Sequence, residues 1–219
     1  MNIKMLKATV AGLILSVSGF ANAGLITIDG GLDNQGGDCT FACVALYQQV
    51  YDNSLFSNTL DITGISFISS GGSFSANNSW ELSLSISNFN VNALTNDFNN
   101  NIGLQSMIFS TESFNDSYID GDLITFNGLF NYNPNDGDLL LSIRALGDSP
   151  WSHTVYYNRS SDAEFSRTYN FSNTPQSMSV GNNYGNVTLF DTQPVPEPST
   201  LAIFALGIMG LASRRFKKQ

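Results

Sequence analysis

Away from its two ends this 219-residue chain has almost no positive charge. Nine Lys and Arg stand against 18 Asp and Glu, and Lys4, Lys7, Arg214, Arg215, Lys217 and Lys218 all lie at the termini. Only Arg144, Arg159 and Arg167 remain between them. Within residues 24–196, 17 carboxylates (the 18 less Glu197) meet three arginines, a net charge of about −14. Such a body repels nucleic acid and anionic membrane surfaces, so nucleic acid is excluded as a partner. Histidine occurs once, as His153, and cysteine twice, as Cys39 and Cys43, too few for a four-ligand Cys/His zinc centre. A Ser-His-Asp triad would have to use His153 in Pro150-Trp151-Ser152-His153-Thr154, and no Gly-x-Ser-x-Gly elbow presents a nucleophile. Helical periodicity is nearly absent, which argues against a helix bundle or an α/β fold.

What is present is concentrated first at the ends. Lys4 and Lys7 precede an apolar run over residues 8–20, and Ala21-Asn22-Ala23 has the small-x-small form of a secretory signal cleavage site. Cleavage by signal peptidase after Ala23 leaves Gly24 as the first residue. At the other end, Pro194-Val195-Pro196-Glu197-Pro198-Ser199-Thr200 leads into an uninterrupted apolar run over residues 201–212, then into Arg214, Arg215, Lys217 and Lys218. Twelve residues of helix span about 18 Å against a hydrocarbon core of about 30 Å, too thin for a permanent anchor. The four cations hold their end cytoplasmic, and the prolines stop the helix from growing back into the domain. The physics describes transient inner-membrane insertion.

The VPEPST sequence, the adjoining apolar run and the RRFKK end resemble the PEP-CTERM sorting signal of Gram-negative bacteria, which an exosortase recognises at the inner membrane. The resemblance covers residues 194–219. It implies processing near Pro196-Glu197-Pro198, with Val195, Ser199 and Thr200 completing the motif, and delivery to the cell surface or medium. Proteins with this tail are commonly associated with exopolysaccharide and biofilm. The expected organisation is a signal peptide over 1–23, a passenger domain over 24–191 and a sorting signal over 192–219.

The passenger reads as strands. Trp80, Leu82, Leu84 and Ile86 alternate with Glu81, Ser83, Ser85 and Ser87, the pattern of a half-buried strand. Comparable runs occupy residues 62–68, 104–109, 123–132, 139–145, 165–171 and 184–190, separated by Gly, Asn, Asp and Ser. Asn133-Pro134-Asn135-Asp136-Gly137 is a turn signal that predicts a hairpin between the 123–132 and 139–145 strands. Residues 41–56 fit helix and strand patterns alike, with strand favoured. Many short strands joined by turns predict an all-β antiparallel β-sandwich of jelly-roll type, flanked by an N-terminal signal helix and a C-terminal transmembrane sorting helix. YQQVYDNSLF, ITGISF and FNGLFNYNPNDGDLLLSI resemble a recurring passenger domain of PEP-CTERM proteins, which supports the all-β reading and supplies no site residues.

Candidate chemistry in the passenger is sparse. In an exported chain Cys39 and Cys43 are expected to be oxidised. Extended chain would hold their Cα atoms about 13 Å apart, against a disulfide limit of about 7 Å, so pairing needs a turn at Thr40-Phe41-Ala42. Asp29, Asp33 and Asp38, the pair Asp120 and Asp122, and the pair Asp136 and Asp138 are oxygen donors for a structural Ca²⁺, with ordinary Asp-Gly turns as the competing account. No other cofactor is expected. Glu81, Glu112 and Glu164 are the glutamates available to a glycosidase-type carboxylate pair. Trp151, Tyr156 and Tyr157 beside Ser152, Asn158 and Arg159 have the composition of a sugar-binding patch or of core packing. The reading is a non-catalytic surface or matrix protein associated with exopolysaccharide, with signal peptidase and exosortase as partners during export. The alternative is a secreted carbohydrate-active enzyme or carbohydrate-binding module.

Overall fold

The alternating pattern of the passenger closes into antiparallel sheets around one apolar core. The computed structural model describes residues 24–30, 41–74, 79–114, 117–147, 153–159 and 163–195. Residues 23–193 form one compact unit. Cys39, Ala21, Ala23 and the sorting residues from Pro196 onward, with the 201–212 helix and the basic stop, lie outside the described residues. Among the described residues no helix is long and apolar enough to cross a membrane.

The first sheet is built on the 14-residue strand β3 (Leu60–Ser73). In it β1 (Gly24–Ile28) and β14 (Thr188–Pro194) pair antiparallel, β14 adjoins β3, and β3 also carries β6 (Ser117–Tyr118), β7 (Leu123–Tyr132) and β9 (His153–Val155). The second sheet runs β12 (Ser179–Gly181), β11 (Phe165–Asn170), β2 (Leu46–Tyr51), β8 (Leu139–Ala145), β4 (Ser79–Ile86) and β5 (Met107–Ser113). A two-stranded piece joins β10 (Tyr157–Arg159) to β13 (Tyr184–Asn186). The fold is all-β, as the periodicity predicts.

One core fills the space between the two large sheets. Trp80, Leu82, Leu84 and Ile86 of β4 are buried, so the alternation at 80–87 is realised. They meet Ile65 and Phe67 of β3, Phe126 and Phe130 of β7 and Phe190 of β14. Phe41 enters from a 3-10 turn (Phe41–Cys43) and packs at 4.6 Å from Phe67. Edge-to-face contacts at 5.0–5.7 Å link Tyr132 to Phe56 and Phe56 to Phe190. Each such pair adds about 0.5–1.5 kcal/mol beyond area burial.

Three expectations change in the structure, and the strand favoured within 41–56 is present. The 133–137 turn does not make a hairpin: β7 pairs with β3, while β8 pairs with β2 and β4 of the other sheet. A 3-10 turn (Pro134–Asp136), capped by the Asn133 side chain on the Asn135 N–H at 3.1 Å, arches the chain between sheets. The arch arises because Phe130 and Tyr132 on one side and Leu139 and Leu141 on the other line the same core from opposite sheets. The 104–109 run is a strand only from Met107, with Leu104 exposed in a turn. The 184–190 run breaks at Val187 and divides between β13 and β14. Within 41–56 the strand covers Leu46–Tyr51, flanked by 3-10 turns at Phe41–Cys43 and Asn53–Leu55.

Strand β2 is buried on both faces. Inward, the Tyr47 hydroxyl and the Asn186 N–H both donate to Gln49 Oε1, at 2.5 and 2.7 Å, and Gln49 Nε2 donates to the Asn186 carbonyl at 3.0 Å. Outward, residues 88–106 cover the sheet, seating Phe98 against Leu46 and Leu94 against Val50. Beneath this cover Gln48 Nε2 donates to the Phe98 carbonyl and to Ser142 Oγ, both at 3.0 Å. Asn101 Nδ2 donates to Gln48 Oε1 at 2.9 Å, while Asn101 Oδ1 accepts from the Thr95 N–H at 2.8 Å.

Asn101→Ala should therefore destabilise the domain by about 1–3 kcal/mol, because it strips partners from the buried Gln48 amide and the part-buried Thr95 N–H. A lowered urea midpoint with unchanged slope is the expected measurement. Burial also pushes the Tyr47 phenol up to about 12 and the Tyr51 phenol well above its ordinary range. Unfolded phenols ionise near pH ~10, so between about pH 10 and 12 the folded state binds more protons and stability falls as pH rises. The melting temperature should drop steeply across that window, with phenolate absorbance rising together with unfolding.

Candidate functional site

The outer face of the second sheet carries a small polar concavity. Antiparallel register places Glu81 of β4 opposite Arg144 of β8, and Ser83 opposite Ser142 on the next outward rung. All four belong to the polar half of the alternation, so they share the face that does not enter the core. The covering segment stops short of these rungs and leaves a half-open depression of about 100 Å³, walled by Phe98 and Ile102 with Ser106 on the rim. The Arg144 guanidinium lies 5.5 Å from the Phe98 ring centroid. Gln48 holds that wall in place through its bonds to Phe98 and Ser142. Among the described residues no hydrogen bond or ion pair joins Glu81 to Arg144.

Glu81 and Glu112 are not brought together. Glu112 is opposite Trp80, on the core side of the sheet, where it accepts from Ser110 Oγ at 2.7 Å; Glu81 is on the outer side. Glu164 precedes β11, and its carbonyl accepts the Asp52 N–H at 2.9 Å. The three glutamates thus occupy separate places in the fold.

Several of the described aspartates accept hydrogen bonds from nearby backbone or side chains. Asp138 takes the N–H groups of Asn53 and Val91, at 3.0 and 3.2 Å, and burial raises its pKa. Asp122 Oδ2 accepts the Ile119 N–H at 2.8 Å, and Asp120 Oδ1 accepts the Tyr156 hydroxyl at 2.6 Å. That last bond raises the Tyr156 pKa. Asp136 lies in the 3-10 turn of the arch. Asp33 and Asp38 are outside the described residues, and among the described residues no group of three or more His, Cys, Asp or Glu side chains is placed to hold a metal.

The aromatic cluster anticipated around 151–159 divides. Tyr156 bonds Asp120, whereas Tyr157 packs on Tyr184 with centroids 4.8 Å apart. Asn158 is fully buried and donates to the Asp29 carbonyl at 2.6 Å. Trp151 and Ser152 are outside the described residues. The backbones of His153 and Arg159 lie in β9 and β10, opposite Gly72 and Tyr184. Cys43 is buried in the turn at Phe41–Cys43.

Sequence reasoning did not find two arrangements. One is Arg167, 4% exposed, with its guanidinium 4.2 Å from the Tyr184 centroid and 5.1 Å from that of Tyr169. The other is the Glu81–Arg144 rung itself. Polar positions in two alternating strands were the only available signal, and a sequence separation of 63 (144 less 81) does not say which strands pair.

At the junction with the tail, β14 extends to Pro194, and Gly24 of β1 stands opposite Thr192, whose Oγ1 donates to the Gly24 carbonyl at 3.0 Å. The expected mature N-terminus and the start of the tail therefore leave the same end of one strand pair. No curated protein matches the chain. Among solved structures, a chain of the T13 IBDV viral particle is similar at 12% identity and a TM-score of 0.23, covering 81% of this chain and 40% of that one. The chain spans well under half of that viral chain, and a likeness at this score carries no argument. Residues 194–218 match the PEP-CTERM protein-sorting motif, so this chain carries the tail of an exported protein targeted to an exosortase.

Proposed function

We propose that this protein is a non-catalytic component of the cell surface or extracellular matrix that holds exopolysaccharide through its β-sandwich passenger of jelly-roll type. The observation that carries the export half is the sorting motif at 194–218, which begins at the last residue of β14. Signal peptidase frees Gly24, the 201–212 segment halts in the inner membrane, and exosortase removes it near Pro196-Glu197-Pro198. The chain then stays at the surface within biofilm matrix or passes to the medium.

The binding half rests on the outer-face depression. It offers a carboxylate, a guanidinium and serine hydroxyls in one place, which suits hydroxyl-rich ligands. Its volume of about 100 Å³ is far below the 300–1,000 Å³ of pockets that enclose small molecules. A site of this size suits many weak contacts along a polymer.

Two experiments test this reading. Protein purified after export should retain the producing cell's own exopolysaccharide, with no new reducing ends on prolonged incubation; release of reducing ends would make it a carbohydrate-active enzyme instead. Replacing Arg214, Arg215, Lys217 and Lys218 together by Gln removes the cytoplasmic stop. Intact-mass analysis should then find the tail still attached, whereas the parent protein ends near residues 196–198.

A further inference from the structure

We propose that the outer-face depression is a subsite for a neutral pyranose ring, with adjacent ring hydroxyls bridging the Glu81 carboxylate and the Arg144 guanidinium. This rests on the reading that the passenger holds exopolysaccharide, and it names the site and the sugar class.

Geometry supplies the first support. Direct cross-strand partners such as Glu81 and Arg144 have Cβ atoms about 4.5–5.5 Å apart. Opposite charges so placed ordinarily close an ion pair. Here Arg144 is instead drawn over the Phe98 ring, with 5.5 Å from Cζ to the centroid. The Glu81 carboxylate and the Arg144 guanidinium thus stand on neighbouring positions of one face, an acceptor beside a donor, without bonding each other. Vicinal hydroxyls, each a donor and an acceptor, match that polarity.

The surroundings narrow the ligand. Ser83 and Ser106 add hydroxyls at the floor and rim. Ser142 accepts from Gln48, which leaves its O–H available as a donor. Phe98 is 4% exposed, so the site has little free aromatic face and relies on hydrogen bonds to ring edges. Glu81 within the site and the net charge of about −14 over residues 24–196 (three arginines against 17 carboxylates) disfavour a uronate. Arg144 disfavours an amino sugar. A neutral ring presented edge-on answers both.

The test uses the full chain, expressed with its tail in the producing cell and purified after export. Hexasaccharides of glucose, galactose and mannose, a galacturonate hexasaccharide and the native exopolysaccharide are each titrated by calorimetry. At least one neutral hexasaccharide should bind, more tightly than the galacturonate. Arg144→Gln and Glu81→Gln should each weaken it about tenfold or more, the loss expected for a hydrogen bond to a charged group. Ser106→Trp, at an exposed position, fills the depression without altering the pair and should have the same effect with an unchanged melting temperature. Neutral binding unaltered in all three variants, tighter binding of galacturonate, or no binding of any neutral hexasaccharide overturns the proposal. If the exopolysaccharide is retained equally by parent and variants, the subsite assignment fails while the matrix reading stands. If the parent retains no polymer at all, both fail.

Discussion

The structure depends on burying two adjacent amides, Gln48 and Gln49, in a strand that has no solvent-facing side. Both side chains are fully buried, and alternation sends them to opposite faces of β2. An unsatisfied buried amide costs several kcal/mol, so each must find a complete set of partners. Gln49 finds them in the Asn186 backbone and the Tyr47 hydroxyl, tying β13 to the inner face of the second sheet. Gln48 finds them in the Phe98 carbonyl, Ser142, Asn101 and Thr168, tying the 88–106 cover to the outer face. Close approach follows from the same requirement. A Cβ on Gly185 would lie 2.6 Å from Gln49, so only glycine lets β13 sit near enough for the bond.

This constraint reaches the surface. The cover pinned by Gln48 ends at Phe98 and Ile102, and where it ends the sheet's polar face opens as the Glu81–Arg144 depression. A buried polar network thereby sets the shape of an exposed polar site. Charge follows a related rule: in a body that holds few cations, Arg144 and Arg167 both lie over aromatic rings. Planar, weakly hydrated guanidinium suits that position better than ammonium would. The acidic surplus is spread over turns, where Asp52, Asp97, Asp122 and Asp138 accept backbone N–H groups.

Much of the fold was legible because its signals are local. The alternation at 80–87 needs only a period of two to announce a half-buried strand, and β4 buries the anticipated side chains. The export signals are legible for the same reason: charge, apolar length and proline follow one another along the chain. The hairpin expected at 133–137 failed because turn residues report that the chain reverses, not which sheet receives it. An Asn-Pro-Asn-Asp-Gly segment serves an arch between sheets as well as a turn within one. The same limit hid the break at Val187, where one apolar run supplies strands to two sheets.

By itself, then, the chain determined the quantities that accumulate along it: strand content, the acidic balance of the body, and the ordered parts of a sorting tail that now match residues 194–218. Tertiary structure alone decided which polar residues share a face. Glu81 and Arg144 are adjacent, and Glu81 and Glu112 are divided, because register and sheet membership are cooperative outcomes of core packing. Such outcomes depend on contacts between distant segments, and a one-dimensional pattern of residues does not encode them position by position.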